Sequence, residues 1–414
     1  MKKFFLFCMM ALVTMCGLNS CSEDCDHEFI EYDYSQALVG TWTCLQGNYA
    51  KALVINADGS AVSTGVEDGE YWEGVKGNIK TVNNKMTMTF EDEDNWEGRF
   101  EMVAGEAFTI YEENGESFTF RYCANDLAEE IVGMWVCTNS FANTQNDMLI
   151  QTFKEDGTSI MTGYISDMED FVTNAGGSTY KVIGDLFINI LPADAVAGGV
   201  PPYMAMRLDY APNGTGYGDI MTFTHYLADG TKNSDTYLRI KQHLELPGMK
   251  YDYIKTFVTN VKGLDKDIEF MGTTFNFAKM DGEKLDKALK TILFNVEFPD
   301  ANTIKYSCYY NNQPMSMEAP IAVDGNKMTV KMSEKNAAYK NVDLYTFQDQ
   351  DNTQMHMYMH STAFVNFFGN MQVTIMEQLG QLDTTDEAAV KAVFDSIDDA
   401  VETINVSFVM TRAN

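Results

Sequence analysis

Histidine and proline are scarce in this chain, with five His and eight Pro in 414 residues. The sequence holds no Gly-x-Ser-x-Gly, no phosphate-binding loop, no His-Glu-x-x-His and no Cys-x-x-Cys. Nucleophilic and zinc chemistry therefore have few groups to draw on. Glycoside hydrolysis needs only two carboxylates and stays open by motif, but acids are too abundant for a pair to stand out. The expectation is a chain that is not an enzyme, with no catalytic residue, no metal and no cofactor. Positive charge is also short: 29 Lys and Arg against 60 Asp and Glu give a net charge of −31. That balance disfavours nucleic acid and anionic lipid headgroups as partners. Long apolar runs are missing too. Phe4 to Val13 is about ten residues, against the roughly 20 needed to span a bilayer, so an integral membrane protein is not expected. Cysteine gives no disulfide framework, because the residues after Cys21 are Cys25, Cys44, Cys123, Cys137 and Cys308, an odd number at wide spacings.

What is present starts with an address. Lys2 and Lys3 precede the apolar run, and Leu18-Asn19-Ser20 lead into Cys21. This resembles the lipobox of bacterial lipoprotein signal peptides, although Asn19 departs from the usual Ala, Ser or Thr. The resemblance implies that residues 1–20 are a signal peptide and that Cys21 becomes an acylated N-terminus, carrying a thioether diacylglycerol and an N-acyl chain such as palmitate. Two or more acyl chains hold a protein stably on a membrane. An ordinary secretory signal cut near Ser20 is the alternative. Ser22-Glu23-Asp24-Cys25-Asp26-His27-Glu28 is similar to the acidic signal that sends Bacteroidota lipoproteins to the outer face of the outer membrane; otherwise it is a solvated tether, spanning 21–36. The mature chain would have 394 residues, enough for two to four domains. Its 45% apolar and 12% aromatic content suits packed cores rather than disorder.

A repeat organises the first half. Leu38-Val39-Gly40-Thr41-Trp42-Thr43-Cys44 is followed by Asp58-Gly59-Ser60 and Thr64-Gly65. Ile131-Val132-Gly133-Met134-Trp135-Val136-Cys137 is followed by Asp156-Gly157-Thr158 and Thr162-Gly163. The first module reads as about eight short antiparallel strands. Asp58-Gly59 marks a hairpin turn, and Met86, Met88 and Phe90 alternate with polar residues. So many strands in so few residues must close into a barrel or protect their edges. Cys44 falls on the first strand and Cys123 on the last, which leaves a bridge between them open. Cys137 occupies the Cys44 position without a late partner, which favours buried free thiols.

Gly-x-Trp on the first strand, at Gly40/Trp42 and Gly133/Trp135, resembles the lipocalin hallmark, and the whole pattern is similar to lipocalin-like surface lipoproteins of Bacteroidota. The resemblance implies a mainly β fold of tandem antiparallel β-barrel modules in which Trp42 and Trp135 pack across a barrel floor. Module one is placed at 37–123 and module two at 127–241, with Ala193 to Pro202 as a long loop. Pro247 and the spacing of Tyr253, Phe257 and Val261 predict a linker helix over 247–263. Module three is placed at 267–413 and starts with Asp267 to Phe277, which holds Gly272 and Phe275 but no Trp. It carries two inserted helices, 361–379 ending at Gly380 and 384–402 starting on a Thr384/Glu387 capping box, before a closing strand.

Two sets of residues are candidates for ligand contact. Met355, Met357 and Met359 share one strand face, and Phe364, Phe368 and Phe394 lie on the two helices that could cover a barrel mouth. Flexible Met side chains line adaptable apolar sites, and they also fill ordinary cores. His356 and His360 would be about 13 Å apart on a strand, too far to share one metal. Trp72 and Trp96 sit in matching acidic settings, Tyr71-Trp72-Glu73-Gly74 and Asn95-Trp96-Glu97-Gly98, that suit sugar stacking. A core Trp and a loop Trp are the plainer reading. Tyr309-Tyr310-Asn311-Asn312 is a similar segment. Two classes follow: a lipid-anchored surface protein binding a small apolar molecule or a glycan, or a structural subunit of an outer-membrane lipoprotein assembly with filled barrels.

Overall fold

The structure, a computed structural model, describes residues 33–91, 95–137, 146–165, 170–173, 177–197, 199–212, 219–226, 231–270, 272–334 and 337–413. The signal peptide, Cys21 and most of the tether lie outside the described residues. The fold is mainly β and consists of three closed antiparallel barrels.

Barrel one is formed by β1 (Gly40–Gln46), β2 (Tyr49–Ile55), β3 (Ser60–Glu67), β4 (Glu70–Val82), β5 (Lys85–Phe90), β6 (Trp96–Val103), β7 (Ala107–Tyr111) and β8 (Ser117–Cys123). It closes where Thr41 pairs with Cys123 and Thr43 with Arg121. Inward residues alternate along each strand, so Met86, Met88 and Phe90 are all buried.

Barrel two contains β9 (Gly133–Cys137), β10 (Asn146–Phe153), β11 (Thr158–Ile165), β12 (Asp170–Thr173), β13 (Ser178–Ile183), β14 (Leu186–Ile190), β15 (Tyr203–Ala211), β16 (Ile220–Tyr226) and β17 (Lys232–Ile240). Both β12 and β13 run antiparallel to β11, so they act as one interrupted strand and the ring has eight positions. The ring closes through β17 on β9. A short helix, α1 (Ala193–Ala197), lies in the segment read as a long loop.

The repeat is exact in its hydrogen bonding. Trp42 Nε1 donates to the Leu38 carbonyl and Trp135 Nε1 to the Ile131 carbonyl, both at 2.7 Å. Gly59 and Gly157 each take positive φ, at 82° and 78°, in the turn between the second and third strands. Their carbonyls accept from Ile79 N and Tyr180 N across the barrel wall. A side chain at either position would meet that backbone conformation with strain.

Barrel three starts earlier than expected. The predicted linker helix over 247–263 is instead β18 (Met249–Gly263), the first barrel strand. A spacing of four residues fits one face of a helix and equally one face of a strand, and Pro247 precedes either. Tyr253 and Val261 both pack on the barrel core. The segment expected to start module three, 267–277, holds instead a separate hairpin of β19 (Ile268–Phe270) and β20 (Thr273–Phe275), outside the barrel ladder. After α2 (Gly282–Leu289), the ring continues through β21 (Leu293–Asp300), β22 (Thr303–Tyr310), β23 (Gln313–Asp324), β24 (Lys327–Val330), β25 (Val342–Gln348) and β26 (Gln354–Met359). Two helices, α3 (Ser361–Gln378) and α4 (Glu387–Asp398), then precede the closing strand β27 (Val401–Arg412), which pairs with β18. The predicted start of the second helix at Thr384 shifts to Glu387. Asp386 is its N-cap, accepting from Ala388 N and Ala389 N at 3.1 Å, while Thr384 donates to Glu377.

The barrels pack wall to wall. Leu45, Ala50, Ala52 and Val66 of barrel one meet Leu186 and Ile188 of barrel two. Val136 and Ile240 of barrel two meet Tyr345, Phe347 and Tyr358 of barrel three. The connecting segment before β18 is clamped by Gln348, whose side chain donates to the Glu245 carbonyl and accepts from Glu245 N.

Candidate functional site

The six residues proposed to line an apolar cavity come together, but as a packed core. On β26, Met355, Met357 and Met359 point into barrel three with at most 2% exposure, while His356 and Tyr358 lie on the opposite face of the strand. The two late helices seal the barrel. Phe364 and Phe368 lie 4.4 Å apart between ring centres, and Phe368 meets Phe270 and Phe408 edge-on. Phe394 sits directly on Gly369, where a Cβ would come within 2.4 Å of the ring. None of the six borders three cavities, of about 300, 470 and 480 Å³, that open among the described residues.

Trp72 and Trp96 reach the same end of barrel one. The even-numbered strands β2, β4, β6 and β8 run in one direction, so their first residues gather at one mouth. Trp72 is third on β4 and Trp96 first on β6. Both are half-buried and lean inward rather than standing on the surface. Trp72 Nε1 donates to Ser63 Oγ at 2.8 Å, and its ring lies over Gly65; Trp96 lies over Gly98. A glycine under each ring is required, since any Cβ would enter the indole. Sequence reasoning missed the rest of the mouth. Lys51, third on β2, holds its ammonium 5.5 Å from the Trp72 ring centre and 5.0 Å from that of Phe90, close enough for attraction to the ring faces. Tyr49 and Phe118 meet at 4.3 Å beside it. The available signal was position: each of these residues opens or closes a strand at the same end.

The cysteines are settled by register. Thr41 pairs with Cys123, which puts Cys123 on the outer wall, whereas Cys44 has the opposite parity and faces the interior. The bridge left open from the sequence does not form, and Cys44, Cys123, Cys137 and Cys308 take part in no disulfide. Burial pushes the Cys44 thiol up to about 12 and the Cys123 thiol up to about 11, so neither supplies a thiolate near neutral pH. Cys123 donates to Asp185 at 3.1 Å, and Arg207 Nη1 pairs with the same carboxylate at 2.9 Å. Thr43 donates to it as well. This cluster joins barrels one and two.

Among the described residues, no three His, Cys, Asp or Glu side chains stand together as a metal site. Among them too, no helix is long and apolar enough to cross a membrane.

No family model matches the chain, and no curated protein does. Solved structures of transferrin binding protein B are similar to it. The isotype 1 protein from serogroup B Neisseria meningitidis shares 8% identity, with a TM-score of 0.20 over 89% of this chain and 66% of that one. The intact two-lobe structure of Ap-TbpB shares 8% identity, with a TM-score of 0.20 over 88% and 67%. A mutant from Haemophilus parasuis Hp5 shares 9%, with a TM-score of 0.23 over 88% and 66%. The chain thus spans about two thirds of the length of these proteins. At these scores the likeness carries nothing about ligand or partner.

Proposed function

We propose that this chain is a non-catalytic binding protein, anchored by acyl chains on Cys21 at the outer membrane and facing the cell exterior, that recognises a glycan at the mouth of barrel one. The observation that supports recognition there is the ring of Trp72, Trp96, Tyr49, Phe118 and Lys51 at a single barrel end. Aromatic faces stack on sugar rings, and the cation beside them can take a ligand oxygen. An apolar small molecule is less well supported, because it would have to displace Met355, Met357, Met359, Phe364, Phe368 or Phe394 from a packed core.

Two measurements test this reading. A Cys21→Ala chain should leave the membrane fraction and lose palmitate labelling while its barrels stay folded; a variant that still pellets with membranes and is labelled rules out the anchor. Oligosaccharides that quench intrinsic Trp fluorescence should lose that effect in Trp72→Ala and Trp96→Ala chains, and unchanged binding in both would exclude the mouth. The second reading, a structural subunit of a lipoprotein assembly, is favoured by the filled interiors. It predicts a stoichiometric lipoprotein partner in pull-downs and no glycan response.

A further inference from the structure

We propose that barrel three carries a second binding site, a cavity that takes one neutral sugar ring at the edge of its helical cap. This rests on the glycan reading above and adds a second place for it. The cavity, of about 300 Å³, lies between Ser316 and Glu318 of β23 and Thr374, Glu377 and Gln378 at the last turn of α3. Its floor is Met317, Met332 and Tyr339, all buried, and its rim side chains Ser316, Glu318, Glu377 and Gln378 are exposed. A floor of Met and Tyr side chains beneath a polar rim suits a sugar ring, which has an apolar face and an equatorial belt of hydroxyls.

The chemistry of the rim selects the ligand. The lining has carboxylate, amide and hydroxyl oxygens and no Lys or Arg. An anion would find no cation there, and the acidic chain would repel it. The lining is richer in acceptors than in donors, so the ligand must bring donors, as a polyol does. The key acceptor is already oriented. Tyr339 donates to Glu377 Oε2 at 2.9 Å and Thr384 donates to Oε1 at 2.6 Å, and each carboxylate oxygen keeps further acceptor capacity. The wall carrying Tyr339 is fixed by α3. Asn370 donates to the Lys340 carbonyl at 2.7 Å and accepts from Lys340 N at 3.0 Å, and Asn366 donates to the Asn341 carbonyl. A site held this way loses little freedom when it binds.

The floor supplies its own reporters. The mature chain, labelled with ¹³C at methionine methyls, is titrated with free glucose, galactose and N-acetylglucosamine. The Met317 and Met332 signals, identified by Met→Leu replacement, should shift saturably in the millimolar range for at least one of these sugars. Glu377→Gln should weaken that response by about tenfold, the cost of losing a charged acceptor. Trp72→Ala should leave it unchanged. A response confined to Met86 and Met88 of barrel one would overturn this site while sparing the mouth. No response at any methionine would overturn it as well. A response to putrescine alone, abolished by high salt, would make the cavity a cation site and also overturn the proposal.

Discussion

At the scale of single residues, the most legible feature was the Trp of each repeat. Trp42 and Trp135 are wholly buried, and each indole N–H reaches a carbonyl four residues upstream. Their structural role followed from a motif that repeats in register. Replacing either by Ala removes the largest side chain of its core and leaves a backbone carbonyl without its donor. Each should cost about 3–5 kcal/mol in chemical denaturation, with barrel one unfolding first in Trp42→Ala. The direction of Trp72 and Trp96 was not legible, because it depends on which glycines lie across the wall. His356 is a different case. Burial holds its imidazole down to about 4, and its Nε2 has no hydrogen-bond partner among the described residues. The unfolded chain binds a proton near pH 6.5 and the folded chain resists it, so stability present above that pH is lost as pH falls toward 4. The loss reaches roughly 2 kcal/mol by pH 5, on the unit value of 1.4 kcal/mol per pH unit. His225 is shifted in the same direction. The measure is therefore a difference: urea midpoints from pH 7 to 5 should fall less steeply in His356→Leu than in the parent chain. Equal slopes would mean that His356 titrates normally.

At the scale of elements, strands with alternating patterns were readable and strands buried with bulges were not. The ladder between β18 and β27 shifts register between Tyr253 and Lys255 and again between Val258 and Asn260. Each shift changes which face a residue occupies, which erases the two-residue period that marks a strand. With the period gone, the four-residue spacing read as a helix. The two late helices were legible because α4 is amphipathic and Gly380 ends the first with positive φ. What the sequence could not show is how α3 is held. Asn370 is 3% exposed and serves both the N–H and the carbonyl of Lys340. Asn370→Ala would leave both backbone groups without that partner, at a cost of about 2 kcal/mol. Asn370→Asp keeps one acceptor and loses the donor, so it should restore only part of the stability. Thermal melts of the two variants, with hydrogen exchange across 338–341, would check this. Protection unchanged at Lys340 would show that the clamp is not needed.

At the scale of the whole molecule, the barrels associate in series, each through a different wall from the one it offers to its other neighbour. Barrel one lays the outer wall of β1, β2 and β3 on β14 and β15 of barrel two, and barrel two lays β9, β10 and its closing strand β17 on β25 and β26 of barrel three. Such head-to-tail packing does not close on itself, and an array of this kind continues unless its ends are polar. The two ends are polar. The outer wall of β5 to β7 carries the Lys85–Glu97 pair, the Arg99–Glu101 pair and Tyr111 hydrogen-bonded to Glu101. The opposite end, on β18, β21 and β22, carries Lys250, Glu297 and Lys305 in one linked set. Exposed ion pairs of this kind add little stability, but among them only scattered apolar side chains such as Val103 and Phe294 stand exposed, which gives an incoming apolar wall little to bury against. The chain should therefore be monomeric, and a truncation that removes barrel three should not be. Ending the chain after barrel two bares Val136, Ile150, Leu238 and Ile240 on one wall. The same holds for barrel one alone, 37–123, which bares Leu45, Ala50, Ala52 and Val66. Either fragment should fold, because each barrel closes its own ladder and fills its own core, and should then self-associate through the bared wall. Light scattering with size-exclusion chromatography would show the full chain as a monomer and both fragments as concentration-dependent oligomers. Adding Leu238→Lys and Ile150→Lys to the two-barrel fragment should return it to a monomer. A fragment that stays monomeric without those changes would mean that the barrels are joined by their connecting segments rather than by their walls.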